Sequence, residues 1–145
     1  MDLNEHALLS ACGAACLWAA TGDRTAAVAF WAAGTLIDTD HLLDYWRDDG
    51  FNLNLPRFFR YFPERGPRYL FLAFHGWEWP ILLAGAAGVT RAPLWIWAVA
   101  AAWLVHLGLD QRYNFRQMPA CYFFAYRWSR GFLAADFYEQ DGKES

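Results

Sequence analysis

Four apolar stretches divide the chain and predict its helices. They cover residues 7–20, 26–37, 69–89 and 92–109. The last two, about 18 to 21 residues long, would each span a hydrocarbon layer ~30 Å thick at a rise of ~1.5 Å per residue. The first two are joined by the polar turn TGDRT and reach only about two-thirds of the way across. Either these helices continue into polar residues or the hairpin is re-entrant.

Two further segments mix aromatic and charged residues. Residues 44–68 alternate aromatic side chains with arginines and contain three prolines. This pattern is typical of an interfacial loop in the lipid headgroup layer, although an ordinary surface loop would show it too. Residues 118–135 carry Arg127 and Arg130 among aromatic residues and predict an amphipathic helix. Residues 140–145 are predicted to be a loose tail.

The composition favours a membrane environment. Hydrophobic residues make up 57% of the chain and aromatic residues 19%, and nine tryptophans stand against a single lysine. A soluble bundle needs many charged side chains on its solvent face, whereas tryptophan favours the membrane interface. We therefore predict one domain over residues 1–145, an all-α integral membrane bundle of about four membrane helices plus a C-terminal amphipathic helix. The net charge of −3, without a basic run, argues against nucleic-acid binding.

The basic residues predict an orientation. With four crossings, both termini and residues 44–68 share one side, which carries ten of the twelve basic residues. The other side carries only Arg24 and Arg91. The positive-inside rule then predicts a multi-pass protein with both termini in the cytoplasm. The start of the chain does not read as a cleaved secretory signal, because it is acidic before its apolar stretch.

The histidines predict a metal site. His6 opens the first predicted helix, and the other three histidines have acidic residues three or four positions away. On a helix, residues at this spacing share one face, and carboxylates with imidazoles are the ligands of zinc, manganese and iron. The pairs are Asp38 with His41, Asp40 with Asp44, His75 with Glu78, and His106 with Asp110.

These motifs are expected to converge at one end of the bundle. His6 precedes the first helix, and the motif DTDH (38–41) follows the second. His75 lies about two turns into the third, and the motif HLGLD (106–110) ends the fourth. Ionisable residues in or near a membrane span are costly, so their convergence predicts a functional site. Three structural alternatives remain open: an N-terminal polar residue for His6, the end of a membrane helix for Asp38 and Asp40, and a hydrogen-bonded pair for His75 with Glu78.

The order of the motifs resembles a known family. His, then Asp-x-Asp-His, then His-x-x-polar, then His-x-x-x-Asp is similar to the inner-membrane metal-dependent hydrolases, also described as LexA-binding, membrane-associated hydrolases. The last motif is also similar to one in zinc-dependent phospholipase C. The resemblance covers residues 6–110 and implies a bacterial-type inner membrane and one or two divalent ions, zinc first, with manganese or iron as alternatives. The ligands it implies are His6, Asp38, His41, His75, His106 and Asp110.

The chain departs from the family pattern at two places. Ile37 stands where the family usually has proline before its first aspartate. The third motif reads HGWEWP (75–80), without the arginine and second histidine of His-Arg-Gly-x-x-His. Either Glu78 substitutes as a ligand or the site holds fewer ions.

The expected chemistry is hydrolysis of a phosphoester in a membrane lipid or amphiphilic substrate, at the cytoplasmic headgroup level, by metal-activated water. Asp40 or Glu78 is the predicted general base, and Arg112 and Arg116 are predicted to bind the phosphate unless they only anchor the chain. Alternatives are a lipid amidase and a non-catalytic membrane subunit with a structural metal site. Haem ligation fits the carboxylate neighbours less well. Homo-oligomerisation stays open.

Overall fold

The computed structural model describes residues 3–113 and 118–137, without the side chains of Leu3, Asn4 and Pro63. The regular secondary structure of these residues is helical, with one isolated antiparallel bridge between Tyr69 and Leu133 and no strand. The predicted all-α class is confirmed. The α-helices are α1 Leu3–Thr21, α2 Arg24–Leu36, α3 His41–Asp49, α4 Leu55–Glu64, α5 Glu78–Thr90, α6 Leu94–Tyr113 and α7 Phe124–Ser129.

Four helices form a bundle whose ends differ in character. Helix α2 packs against α1 and α6, and α5 packs against α6. At one end, Asp23 accepts the N–H of Ala26 (3.0 Å) to start α2, and Arg91, in the left-handed conformation, ends α5. Because both tight turns lie at this end, α1 and α5 begin and α2 and α6 end at the opposite one. The polar motifs are therefore brought to that opposite end.

The bundle buries small side chains and exposes large apolar ones. Val28, Leu82 and Val89 are 62%, 62% and 87% exposed. Close approach on alanine and glycine is typical of helices that pack within a membrane. The buried small residues are Ala26, Ala27 and Gly34 in α2, Ala87 in α5, and Ala98, Ala100 and Ala102 in α6.

Helix length does not by itself support four membrane crossings. Among the described helices, only α6 is both long and apolar enough to cross a membrane. Helices α2 and α5 have 13 residues each, and at ~1.5 Å per residue they are shorter than a ~30 Å hydrocarbon core. The four-span arrangement therefore stays a prediction.

The third predicted helix, residues 69–89, begins later than expected. Helix α5 starts only at Glu78 and has Pro80 in its first turn. Proline is tolerated in the first turn of a helix. If the helix began at residue 69, Pro80 would lie in its interior, where proline removes a hydrogen bond and clashes with a preceding carbonyl. His75 lies in a turn before α5, so the prediction that His75 and Glu78 share a helix face is wrong.

The segment 44–68 is not a loop but carries most of α3 and all of α4. Asn54 accepts the N–H of Arg57 (3.0 Å) and so starts α4. On the inner face of α4, Tyr61 packs against Tyr45 of α3, with ring centroids 5.3 Å apart. Phe51, between the two helices, is 76% exposed. An interfacial position for this segment stays a prediction.

The C-terminal segment is not one amphipathic helix. It forms the 3₁₀ helix Pro119–Tyr122, then α7, then the 3₁₀ helix Ala134–Asp136. Gly131 and Phe132 have φ of +63° and +60°, so the helical path ends there. Residues 140–145 lie outside the described residues. The segment packs over the polar end of the bundle in a core of Ile37, Leu70, Leu107, Cys121, Tyr122, Ala134 and Phe137.

Candidate metal site

Four ligand atoms meet at the polar end of the bundle. They belong to Asp38 in the 3₁₀ helix Ile37–Asp40, to His75 in the turn before α5, and to His106 and Asp110 on α6. The Oδ1 atom of Asp38 lies 3.3 Å from the Nε2 atom of each histidine. The Oδ2 atom of Asp110 lies 3.5 Å from Nε2 of His75 and 3.3 Å from Nε2 of His106. We call these four residues the cage.

The separations in the cage match a metal coordination shell. Zinc binds imidazole nitrogen and carboxylate oxygen at ~2.0–2.1 Å, so neighbouring ligand atoms of a tetrahedron lie about 3.3–3.4 Å apart. The four N···O distances of 3.3–3.5 Å fall on or near this value. They are longer than N–H···O hydrogen bonds, which are ~2.7–3.2 Å. The cage could therefore hold a metal ion.

The hydrogen bonds of the two histidines point their free nitrogens into the cage. Nδ1 of His106 lies 3.0 Å from the carbonyl oxygen of Gly34, which only accepts, so Nδ1 carries the hydrogen. Nδ1 of His75 lies 3.0 Å from Oδ2 of Asp40. The Nε2 atoms of both rings, and Oδ2 of Asp38, are buried without a hydrogen-bond partner. Metal-binding histidines are oriented in this way, by a bond from their other nitrogen.

Residues of α1 and α2 support the cage from behind. Nε2 of His6 lies 2.9 Å from Oδ1 of Asp110, and the His6 ring stacks on His106 with centroids 3.9 Å apart. His6, a predicted ligand, thus contacts the oxygen of Asp110 that faces away from the cage. A Cβ at Gly34 would clash with Oγ of Ser10. Glycine therefore lets α1 and α2 approach closely at the residue whose carbonyl oxygen contacts Nδ1 of His106. The sequence pattern did not indicate Gly34.

The charge of the cage suits a divalent ion. Burial by itself raises the pKa of Asp38, but the neighbouring imidazoles of His106 and His75 outweigh it and hold this pKa well below its usual range. Once an ion has displaced the Nε2 protons, two ionised aspartates and two neutral imidazoles give the cage a charge of −2, which the divalent ion neutralises. Neutralisation matters because a buried, uncompensated charge is costly. The most exposed cage side chain, Asp38, is only 16% exposed.

A second group of possible ligands, Asp40, His41 and His75, lies beside the cage. Oδ2 of Asp40 accepts the N–H of Phe74 (2.8 Å) and faces Nδ1 of His75, while Oδ1 lies 3.2 Å from Nδ1 of His41. The atoms through which Asp40, His41 and His75 face one another already pair in hydrogen bonds. In the cage, by contrast, three side-chain atoms have no hydrogen-bond partner. One ion in the cage, with Asp40 orienting His75, fits the contacts better than two.

The other predicted site residues lie outside the cage. Oε2 and Oε1 of Glu78 accept the N–H groups of Phe124 (3.0 Å) and Ala125 (2.9 Å), so this carboxylate starts α7. Arg112 is exposed near the end of α6, and Arg116 lies outside the described residues. The phosphate-binding role of the two arginines stays a prediction.

Metal binding is expected to release protons. Burial by itself lowers the pKa of His75, but Asp40, together with Asp110 and Asp38, outweighs it and raises this pKa well above its usual 6.5. His75 is then protonated at neutral pH without metal, and the ion must displace the Nε2 proton. Affinity should therefore rise about tenfold per pH unit for each proton released, until the pH passes this pKa.

Calorimetric titration of zinc at pH 7, in two buffers of different ionisation enthalpy, measures the number of protons released. We expect one or more. Binding without proton release would contradict the assignment of His75 as a ligand.

Comparison of the chain with protein-family models, curated proteins and solved structures finds no match. The family resemblance of the four motifs therefore stays a prediction. The function has to be inferred from the chemistry of the cage and from the surfaces around it.

Proposed function

We propose that this chain is a membrane-embedded, metal-dependent hydrolase that acts on an amphiphilic phosphoester. The observation that carries the proposal is the cage: four ligand atoms whose N···O separations are 3.3–3.5 Å, with two imidazole nitrogens buried and unpartnered. The ligand set of two carboxylates and two imidazoles fits zinc, manganese or iron. A bound ion of this kind lowers the pKa of water from 15.7 to about 7 and supplies hydroxide at neutral pH.

We assign proton transfer to His41. Its side chain is 30% exposed, and its ring lies 5.0 Å from that of His75 between centroids. Asp40 contacts Nδ1 of His41, which leaves Nε2 to exchange a proton with water or substrate. Asp40 and Glu78, the bases predicted from the sequence, already accept hydrogen bonds from backbone N–H groups.

The proposal of a membrane location rests on the outer surface of the bundle. Helices α1, α2, α5 and α6 consist mainly of apolar residues, and their outward side chains include Leu8, Trp31, Leu82 and Val89. A helix that is apolar on all sides needs an apolar environment on all sides, and lipid provides it. Short helices are compatible with this location if the bilayer thins locally around them.

An amphiphilic substrate is favoured by the residues next to the cage motifs. Leu36, two residues before Asp38, and Phe74, next to His75, both expose large apolar side chains. Asp38 and His41, the most exposed side chains of the cage and of the second group, follow Leu36 closely in the chain. In the proposed orientation these side chains lie at the cytoplasmic headgroup level, where the phosphoester of a lipid would approach them.

The test is hydrolysis by the detergent-purified protein after loading with zinc, manganese or iron. A phosphodiester lipid and ceramide are offered side by side. We expect phosphodiester cleavage that is lost on chelation and in Asp38→Asn, but kept in Asp136→Asn, which alters an exposed aspartate. Cleavage of ceramide alone would favour the amidase. Turnover that survives chelation and Asp38→Asn would overturn the proposal.

A structural metal site in a non-catalytic membrane subunit is the second candidate. The observation that favours it is that four protein ligands complete the tetrahedral shell of zinc, as in structural sites, whereas catalytic zinc keeps an open position. The visible absorption of the Co²⁺-loaded protein separates the candidates, because Co²⁺ accepts the tetrahedral geometry of zinc. A spectrum that changes when azide is added indicates an exchangeable position on the ion and supports the hydrolase, and an unchanged spectrum supports the structural site.

A further inference from the structure

His75 is the one cage ligand that is not carried by a helical segment. It lies in the turn 70–76, where its N–H donates to the carbonyl of Leu72 (3.0 Å). Leu72 has φ of +38°, a conformation that residues other than glycine rarely adopt and that persists only where the surroundings hold it. The position of the His75 ring therefore depends on whatever holds this turn.

Two carboxylates hold the N–H groups of the turn. Asp44 of α3 accepts the N–H of Phe71 (3.0 Å) and of Leu72 (3.3 Å). Asp40 accepts the N–H of Phe74 (2.8 Å). Both carboxylates are buried, so these bonds are shielded from competing water.

One arginine holds the carbonyl groups of the same turn. Arg127 of α7 donates from its guanidinium to the carbonyl oxygens of Leu72 (2.8 Å), His75 (2.8 Å) and Cys121. Its side chain is 1% exposed. Within the described part of the chain, Arg127 makes no ion pair with a carboxylate, although burying a guanidinium is costly. Its hydrogen bonds to backbone oxygens are therefore its main compensation.

We propose that Arg127 is a positioning residue for the metal site, which holds the His75 imidazole at coordination distance through the backbone of the turn. This inference rests on the proposed metal binding by the cage. Without the guanidinium, the buried carbonyl of His75 loses its side-chain donor, and the carbonyl of Leu72 keeps only the N–H of His75. The turn is then held less firmly in the strained conformation at Leu72. A shift of His75 would lengthen the distances from its Nε2 atom to the carboxylates of Asp38 and Asp110.

A purely structural role for Arg127 would have a different signature. In that case its loss would weaken the packing of the C-terminal segment without changing the metal environment. Phe137→Leu provides the matched control, because Phe137 is fully buried in the same segment and its substitution removes packing without removing a donor to the turn. Arg127→Met and Arg127→Lys remove all or part of the donor set.

The experiment is titration of each folded variant with Co²⁺ alone, followed by its visible absorption and by calorimetry. We expect Arg127→Met to weaken Co²⁺ binding by about 10- to 100-fold, as loss of outer-shell partners typically does, and to alter the Co²⁺ spectrum. Lysine keeps the charge but lacks the planar fork, so Arg127→Lys should fall between Arg127→Met and wild type. Phe137→Leu should lower the melting temperature with affinity and spectrum unchanged.

If Arg127→Met does not fold, Arg127→Lys carries the test. Affinity and spectrum unchanged in the folded arginine variants would overturn the positioning role while leaving the metal site in place. An equal loss of affinity in Phe137→Leu would also overturn it. No Co²⁺ binding by the wild-type chain would instead overturn the metal site itself.

Discussion

His106→Ala is expected to abolish stoichiometric metal binding, whereas His41→Ala is expected to leave it intact. His106 supplies an unpartnered Nε2 atom to the cage and contacts both of its carboxylates at 3.3 Å. His41 supplies no atom to the cage, and its Nδ1 atom contacts Asp40. Elemental mass spectrometry of the detergent-purified protein should find one equivalent of a divalent metal in wild type and in His41→Ala. His106→Ala should retain none, because losing a ligand exceeds the ~10–100-fold effect of losing an outer-shell partner.

The comparison of these two variants tests the number of ions as well as the ligands. Two equivalents in wild type and one in His41→Ala would show that the group Asp40, His41 and His75 also binds an ion. Equal metal in wild type and His106→Ala would exclude the cage. The fold of each variant is checked by circular dichroism, since both histidines also make contacts that support neighbouring helices.

Metal loading is expected to raise the melting temperature by roughly 8–16 °C. An ion that binds the folded state at 1,000 times its dissociation constant stabilises it by ~4 kcal/mol. A change of 1 kcal/mol shifts the melting temperature of a chain of this size by roughly 2–4 °C. The nine tryptophans allow the measurement by intrinsic fluorescence, with and without chelator.

The reason for this large effect is that the cage joins distant parts of the chain. Asp38 follows α2, His75 precedes α5, and His106 and Asp110 lie on α6. One ion would therefore tie three helices together at the end of the bundle. The control is the double variant Asp38→Asn and His106→Ala, which should show no shift on metal addition. A shift of the same size in that variant would place the stabilising ion elsewhere.

Local sequence patterns were sufficient to predict one half of the cage. His106 and Asp110 are four residues apart on an apolar helix, so helix geometry alone places them on one face, and they lie together as predicted. The sequence also indicated the convergence of the histidine motifs at one end of the bundle. This follows from the alternation of short turns and apolar stretches, which sets where each helix begins and ends.

The position of His75 was not predictable from the same rules. The apolar stretch 69–89 reads as one helix, but its first residues form a turn held by side chains of α3 and α7. Asp40 lies 35 residues before His75, and Arg127 lies 52 residues after it. Arg127 was predicted to lie in an amphipathic helix, and no local pattern shows that it is buried. Glu78 was predicted as a ligand or a general base, and no local pattern shows that its carboxylate accepts N–H groups of α7.

By itself, the sequence determined the all-α class, the apolar helices, and the residue types at one end of the bundle that could hold a metal ion. These are local properties, set by hydrophobic periodicity and by the spacing of side chains on a helix. The tertiary structure decided which atoms face the cage. It placed His41 and His6 beside the cage and His75 within it. The reason is that the direction of an imidazole depends on the partner of its other nitrogen. That partner is Gly34 for His106 and Asp40 for His75, and both partners are distant in sequence.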